Sequence, residues 1–454
     1  MFDVVILGGG SGGYACALRS AQLGLKVALI ERDKLGGTCL HRGCIPTKAL
    51  LHAAEVADTA REGSHIGVHT TLQSIEMPKV NEYRDGVVGR LYKGLQGLVK
   101  SKDITYIEGT GRVVAPNAVE VNGERVEGRH LVLATGSYSR SLPGLEIGGR
   151  VITSDQALQL DWIPNKVIVL GGGVIGVEFA SVWRSFGAEV TVIEALPRLV
   201  PAEDESVSKT LERAFRKRGI AFSTGVRFAS ASQDDSSVTA TLENGTSYTA
   251  DLMLVAVGRG ANGAGHGFEE IGVTVDRGWV PTDERLRTNV PNVFAVGDLV
   301  PGLQLAHRGF QHGIFVAEEI AGLSPRMIED RAIPKVTYCE PEIASIGYTE
   351  TQAKEHYGVD NITTYEYNLG GNGKSQILGT AGFIKLVREK DGPVVGIHMI
   401  GARVGEQIGE AQLIFNWEAA PEDVAPLIHA HPTQNEALGE AHLALAGKPL
   451  HAHA

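Results

Sequence analysis

Val4-Val5-Ile6-Leu7-Gly8-Gly9-Gly10-Ser11-Gly12-Gly13 is a short apolar run that breaks into a G-x-G-x-x-G turn. Four apolar residues are too few for a helix, so 4–7 reads as a strand. Residues 14–23 then carry a helical pattern ended by Gly24, and a second β-type run, 27–30, finishes on Glu31. Each position has a physical job. The first glycine permits the tight turn, the second lets the backbone approach a pyrophosphate, and the third lets helix and strand pack closely. The helix N-terminus supplies amide donors and a favourable dipole for an anion. The closing acid can accept a hydrogen bond from a ribose hydroxyl.

The unit recurs. Residues 167–170 are again apolar and lead into Gly171-Gly172-Gly173-Val174-Ile175-Gly176, then Gly187, a β-type run at 190–193 and Glu194. Gly8, Gly24 and Glu31 reappear as Gly171, Gly187 and Glu194, the same 163 residues further on. One glycine turn alone is often only a loop; two complete strand–turn–helix–strand–acid units predict two dinucleotide sites. A carboxylate at Glu194 suits a free 2′-hydroxyl and repels a 2′-phosphate, which favours NAD over NADP. Arg198 either meets a phosphate or is a solvated surface arginine, and the second reading is preferred.

Composition sets the outer bounds. A chain of 454 residues is expected to hold several domains. With 43% hydrophobic and 21% charged residues it is not a largely disordered chain. Its 57 glycines follow no collagen-like period, so they belong in tight turns and at close approaches of the backbone to a ligand. Forty-two basic against 53 acidic residues leave a net charge of −11, which argues against a nucleic-acid partner. No apolar stretch approaches the roughly 18 residues of a membrane helix. Met1-Phe2-Asp3 lacks the basic region of a signal peptide, and four cysteines cannot form a disulfide scaffold. The expectation is a cytoplasmic protein with no membrane partner.

Between the first unit and the next helical stretch lies Gly36-Gly37-Thr38-Cys39-Leu40-His41-Arg42-Gly43-Cys44-Ile45-Pro46-Thr47-Lys48. A disulfide closing so short a loop removes little chain entropy, so stabilisation alone explains the pair poorly. Pro46 suits the first turn of a helix running through 49–56. That places Cys44 near a helix N-terminus, where the dipole favours thiolate. Half of a zinc site is disfavoured because Cys16 and Cys339 are remote and lack ligand spacing. Two inert buried thiols remain the bland alternative to a redox-active pair.

These motifs together resemble the class I pyridine nucleotide–disulfide oxidoreductases, and further motifs extend the resemblance along nearly the whole chain. Ala134-Thr135-Gly136, Ala256-Val257-Gly258-Arg259, Phe294-Ala295-Val296-Gly297-Asp298 and His429-Ala430-His431-Pro432-Thr433-Gln434-Asn435-Glu436 all resemble family signatures. The resemblance implies an α/β fold: two Rossmann-like dinucleotide-binding domains and a C-terminal α+β dimerisation domain. It implies a redox-active Cys39–Cys44 disulfide against a flavin. FAD would be held by Gly8, Gly10, Ser11, Gly12, Gly13, Glu31, Arg32, Gly37, Thr38, Lys48, Gly111, Ala134, Thr135, Gly136, Asp298 and Ala306. NAD would be held by Gly171, Gly173, Val174, Ile175, Gly176, Glu194 and Gly258. Lys48 and Glu178 match the family's ion pair beside the cofactors, although read alone they are a surface lysine and an ordinary helix residue. The implied domains are 1–145 and 273–335 for FAD, 146–272 for NAD, and 336–454 for dimerisation. Short strands at 336–338, 343–348, 362–367, 382–387 and 394–400, then helices near 404–417 and 434–446, support α+β packing in the last part.

Read without the family, His431-Pro432-Thr433 is a helix start with proline at the first position, and a lone histidine there is more often structural than catalytic. Dithiol oxidation, however, needs a base titrating near neutrality, and histidine is suited to it. Glu436 would orient the ring, as the acid does in a Ser-His-Asp triad. The family places this histidine and glutamate across a dimer interface, against the other subunit's disulfide. His429 has no assigned role, and His451 and His453 read as tail residues.

The expected reaction is oxidation of protein-bound dihydrolipoamide to lipoamide with reduction of NAD⁺. Expected partners are a second copy in a homodimer and the lipoyl domains of 2-oxo acid dehydrogenase or glycine cleavage complexes. The alternatives are an NAD(P)H-dependent reductase of another disulfide, similar to glutathione reductase, or chiefly a docking subunit. Against close relatives, the chain has no cysteine after Cys339, unlike mercuric reductases, and has Glu194 where NADPH-dependent reductases carry basic residues. His41-Arg42 departs from the Asn-Val of many dehydrogenases and reads as surface variation.

Overall fold

The computed structural model describes residues 1–452; His453 lies outside the described residues. Phe2–Leu7 and Val27–Glu31 run parallel, with Val4 opposite Val27 and Leu7 opposite Ile30. Thr105–Glu108 extends this sheet beyond Val27–Glu31, and Glu124–Leu133 flanks Phe2–Leu7 on the other side. Val293–Ala295 returns from far along the chain to pair in parallel with Leu131, Val132 and Leu133. The central strands are buried on both faces, which is why they read as unbroken apolar runs with no alternation. Helix Ser11–Gln22 packs against helix Ala306–Ile320. The contact is so close that a Cβ on Gly313 would lie 2.2 Å from the Gly12 carbonyl oxygen.

The second large sheet is wholly parallel: Ala221–Thr224, Glu189–Glu194, Lys166–Leu170, Leu252–Val255 and Val151–Ile152, in that order. An antiparallel meander, Phe228–Gln233, Val238–Leu242 and Ser247–Ala250, is inserted before its fourth strand. The chain leaves the first region through Ser137–Ser139 and comes back through Arg259–Ala261, and these two crossings pair with each other.

The third large sheet is antiparallel, in the order Lys335–Thr337, Glu342–Gly347, Val394–Gly401, Phe383–Glu389, Ile362–Asn368. Helices Val404–Asn416 and Glu436–Leu445 pack on it. The expected α/β class with an α+β C-terminal part is what the chain forms.

Helix Cys44–Glu62 joins the three regions. Its Leu50 and Ala54 share one core with Phe179 and Trp183 of helix Val174–Phe186 and with Ile343, Phe383 and Ile400 of the third sheet. Each large side chain buried there contributes about 1.5–3 kcal/mol. This shared core fixes the middle turns of Cys44–Glu62 against both neighbours.

Some local readings differ from the structure. The first helix begins at Ser11, inside the glycine turn, because Gly10 serves as its N-cap. Helix Cys44–Glu62 is 19 residues long, well beyond the expected 49–56. Helix Met77–Ser101 had no counterpart in the sequence reading; its long exposed face leaves a weak apolar stripe, and Met77, Leu95 and Val99 are its buried apolar residues. Pro432 does not open the last helix. The His431–Pro432 peptide is cis, and helix Glu436–Leu445 starts four residues later. The Thr433 hydroxyl donates to the Ala430 carbonyl (2.7 Å) and closes a turn there.

Candidate active site

The two glycine turns are built alike. A Cβ on Gly13 would sit 1.8 Å from the Gly8 carbonyl oxygen, and one on Gly176 would sit 1.9 Å from that of Gly171. No side chain fits between strand and helix at either place, so both helix N-termini are drawn up to their turns. The acids brace the same turns. Glu31 accepts from the Gly9 N–H (2.6 Å) and the Asp33 N–H (2.8 Å). Glu194 accepts from the Gly172 N–H (2.7 Å) and the Leu196 N–H (2.7 Å). Each carboxylate oxygen has a second lone pair left for a ribose hydroxyl. Burial pushes the Glu31 carboxyl upward against the pull of the Gly9 N–H.

A cavity opens over the first turn. It is lined by Gly8, Gly10, Glu31, Arg32, Gly37, Thr38, Gly111, Ala134, Thr135 and Gly136, all expected at the FAD site. Ser11, Gly12 and Gly13 lie behind this wall, in the helix that starts there. Ala306 is the first residue of the helix packed on that one. Asp298 sits on the short turn Gly297–Leu299 and accepts from the Ser137 hydroxyl (2.6 Å), which in turn accepts from Arg259 Nε (2.8 Å). The shape fits a dinucleotide: backbone amides and glycines where phosphates would lie, and a carboxylate where a ribose would.

His41 and Arg42 both line this cavity; His41 is half-buried, while Arg42 is exposed, as a surface residue would be. The His41 ring packs edge-on against Tyr92 and its Nε2 donates to the Leu35 carbonyl (2.8 Å), while Arg42 pairs with Asp33. Asn262 and His266 also line it. Thr135 donates to the Asn262 carbonyl (2.7 Å). No local motif announces Asn262 or His266; they arrive with the return crossing. Arg198 is not a solvated arginine. It is half-buried and donates to the carbonyls of Pro201 (2.9 Å) and Glu203 (3.1 Å). Gly173 caps helix Val174–Phe186, Val174 at its start is 45% exposed, and Ile175 and Gly176 follow in its first turn. Gly258, just before the return crossing Arg259–Ala261, takes a positive φ of 105° and accepts from the Arg140 N–H (3.1 Å).

Cys39 lies on the short helix Gly37–Arg42, and Cys44 is the first residue of Cys44–Glu62. Both are thiols here, half-buried, and share a hydrogen bond. That bond raises the acidity of Cys44 and lowers that of Cys39. The Lys48 ammonium, one helical turn on, also favours the Cys44 thiolate against the cost of burial. Of the two thiols, Cys44 is the one whose surroundings favour the thiolate. Tyr14 lies within electrostatic reach of both sulfurs, and burial pushes its hydroxyl up to about 12, so it stays protonated. It occupies the position after the glycine turn, and only its aromatic character hinted at a role.

Lys48 and Glu178 meet, bridging the first and second regions. The ammonium donates to both carboxylate oxygens (3.0 and 2.8 Å), and the Tyr338 N–H donates to the same carboxylate (2.9 Å). Burial pulls the Lys48 ammonium down, but the Glu178 charge and hydrogen bonds outweigh it and the net shift is upward. Lys48 also lies over the Tyr338 ring, 4.8 Å from its centre.

His431 Nδ1 bonds Glu436 Oε1 (2.8 Å), while Glu436 Oε2 accepts from the Thr433 N–H (2.7 Å). Burial works against the Glu436 charge, but these partners hold its carboxyl below the usual range. The His431 side chain is 78% exposed. Among the described residues of one chain no hydrogen bond or ion pair joins it to Cys39 or Cys44. His451 is no loose tail residue: its Nδ1 bonds Glu440 (2.8 Å).

Comparison with known proteins agrees with this geometry. The pyridine nucleotide-disulphide oxidoreductase family model matches residues 2–313, and that family's dimerisation domain matches residues 333–442. The chain is 42% identical to a dihydrolipoyl dehydrogenase of Bacillus subtilis, with 99% of each chain covered. It is 38% identical to the mitochondrial dihydrolipoyl dehydrogenase of Pisum sativum, covering 99% of this chain and 92% of that one. LpdA of Mycobacterium tuberculosis superposes with a TM-score of 0.91 at 25% identity, covering 98% of this chain and 100% of that one. Two glycine turns, a cysteine pair at a helix start and a matching dimerisation domain lead to one statement: the chain belongs to the pyridine nucleotide-disulphide oxidoreductase family.

Proposed function

We propose that this chain is a dihydrolipoamide-oxidising, NAD⁺-reducing flavoenzyme. One observation carries the reading: a cysteine pair at the start of a buried helix, with Lys48–Glu178 beside it, set between two dinucleotide turns. Identity to dihydrolipoyl dehydrogenases over nearly the full length supports the substrate.

The residues fit the cofactors. Gly8, Gly10, Ser11, Gly12 and Gly13 would hold the FAD diphosphate, Glu31 its ribose and Asp298 its ribityl hydroxyls, with Lys48 at the ring. Gly171, Gly173, Val174, Ile175, Gly176 and Glu194 would hold NAD, and the Glu194 carboxylate disfavours a 2′-phosphate. When bound, the flavin supplies the two-electron link between sulfur chemistry and the nicotinamide.

The protein's own share is thiol exchange. With Cys39 and Cys44 oxidised to a disulfide, His431 from a second copy of the chain takes the proton of one substrate thiol, and Glu436 stabilises the imidazolium. The resulting thiolate attacks Cys39. The Cys39–Cys44 bond breaks, and Cys44 leaves as the thiolate that Lys48 and the helix start favour. The second substrate thiol attacks the substrate sulfur of the mixed disulfide, the bond to Cys39 breaks, and the proton of that thiol passes to Cys39 as it leaves. Substrate leaves as a cyclic disulfide, and Cys39 and Cys44 remain as the reduced pair. The same dimer would receive lipoyl domains at the mouth formed by both copies.

The test is turnover of dihydrolipoamide with NAD⁺ by the purified holoenzyme, alongside glutathione with NADP⁺. Rapid NADH formation with dihydrolipoamide alone is expected. Cys44→Ser should stay yellow and lose turnover; preference for glutathione, or an active Cys44→Ser protein, would overturn the assignment.

A further inference from the structure

The loop before the last helix carries two histidines, and each has its own carboxylate. His431 pairs with Glu436 at the surface. His429, whose side chain is only 13% exposed, bonds Glu410 Oε1 through Nε2 (2.7 Å). Glu410 reaches across from helix Val404–Asn416, and its other oxygen accepts from Asn435 Nδ2 (2.6 Å). Asn435 is the residue immediately before Glu436. The chain His429–Glu410–Asn435 therefore ties both ends of the turn 429–435 to one anchored carboxylate.

The packing around His429 is tight. A Cβ on Gly439 would fall 2.6 Å from His429 Nδ1, so the last helix presses its backbone against the ring. The titratable groups facing His429 are Glu410 from one helix, and Glu436 and His442 from the other. His442 is buried, its Nδ1 is taken by the Leu438 carbonyl (2.6 Å), and burial pushes it down to about 4, so it is neutral. The hydrogen bond to Glu410 favours the protonated form of His429 over the opposing effect of burial, with the charges of Glu410 and Glu436 adding to it. His429 thus lies within electrostatic reach of the Glu436 carboxylate that bonds His431.

We propose that His429 is a positioning residue for the His431 base, acting through Glu410 and Asn435 on the turn and through its positive charge on Glu436. The proposal rests on the reading of His431 as the base. Geometry makes the two contributions separable. The tether holds His431 Nδ1 on Glu436 so that Nε2 points outward. The charge, when His429 carries it, offsets part of the Glu436 field at the His431 ring.

The test uses FAD-loaded dimers of the wild type, His429→Gln, Glu410→Gln and His431→Gln, each checked for flavin content and melting temperature. The readout is kcat/KM for dihydrolipoamide against pH. His429→Gln is expected to lower kcat/KM roughly tenfold, the order of loss that misplacement of a reacting group brings. Its acid limb should also move upward by roughly half a pH unit, as expected when one nearby surface charge is lost. Glu410→Gln, which weakens both tethers and removes a negative charge along with the support for the His429 cation, should lower the rate with a smaller shift of the limb than His429→Gln. A loss of rate with no shift in either variant would make His429 merely structural and overturn the electrostatic part. Wild-type profiles in both would overturn the proposal outright. If His431→Gln itself is mild, the base assignment fails instead, whatever the other variants do.

Discussion

Replacing Lys48 with methionine leaves the Glu178 carboxylate, 2% exposed, with one remaining donor, the Tyr338 N–H. Stripping one partner from a buried ion pair costs about 3–5 kcal/mol, because the survivor stays charged in a poor solvent. The Lys48 side chain is itself 33% exposed, so water already screens the pair in part. Discounting for that gives roughly 2–3 kcal/mol. At about 2–4 °C per kcal/mol for a unit of this size, melting should fall by roughly 5–10 °C. The opposite change is not equivalent. Glu178→Gln leaves an ammonium that can turn to water and keeps an acceptor for the Tyr338 N–H, so its cost should be about 1 kcal/mol or less. Calorimetry of the FAD-loaded wild type, Lys48→Met, Lys48→Arg and Glu178→Gln at pH 7 measures the order directly. A Glu178→Gln protein that melts at or below Lys48→Met, or a Lys48→Met protein within 1 °C of wild type, would refute the asymmetry.

Three further outcomes follow from the same structure. Gly176→Ala, whose methyl would lie 1.9 Å from the Gly171 carbonyl oxygen, should keep bound flavin yet weaken NAD binding at least tenfold by titration, whereas Gly13→Ala should fail to load flavin; the reverse pattern would mean the two turns are misassigned. Lys385, buried between Asp204 (2.8 Å) and Glu350 (2.7 Å), should cost about 3–5 kcal/mol when changed to methionine. Burial pushes the Asp204 carboxyl up, but its cationic and N–H partners more than offset this and hold it low. Its stabilisation is therefore complete above the unfolded value near 3.9 and fades as pH falls through the folded one. The Lys385→Met penalty in melting temperature should shrink in acid, and a penalty that grows would contradict that sign. In the reduced protein, brief iodoacetamide treatment at neutral pH should label the Cys39/Cys44 pair, whose surroundings favour a thiolate at Cys44, while burial leaves Cys16 and Cys339 unreactive; mass spectrometry showing Cys16 or Cys339 labelled before the pair would reverse the assignment.

The motifs that were legible in the chain are those whose geometry is local. Gly8 to Glu31 and Gly171 to Glu194 declare a strand, a turn and a helix within a few residues, because steric exclusion of a Cβ and the apolar run both act at short range. The expected strands of the C-terminal sheet agree closely with those formed, for the same reason. Where the reading went astray, a distant partner decided the outcome. His41 and Arg42 look like ordinary loop residues until the glycine turn and the segment around Gly111 close a cavity around them. Arg198 looks solvated until the backbone at Pro201 and Glu203 folds onto its guanidinium. His431-Pro432 looks like a helix start, but the Thr433 turn and its Glu436 partner delay the helix by four residues.

By itself the sequence determined two glycine turns, a cysteine pair at a helix start, and an acid closing each turn unit, since each is written in spacings shorter than one βαβ unit. Only the tertiary structure decided which charges meet. Lys48 reaches Glu178 across 130 positions, a pair that the family resemblance implied and no local pattern did; Tyr338 closes on the same carboxylate, and Val293–Ala295 completes a sheet begun at Phe2. Pairing of that kind depends on how three separate sheets pack around helix Cys44–Glu62, and no local pattern carries that information. The energy of a buried charge is set by the group that arrives opposite it, and the chain alone does not say which group that will be.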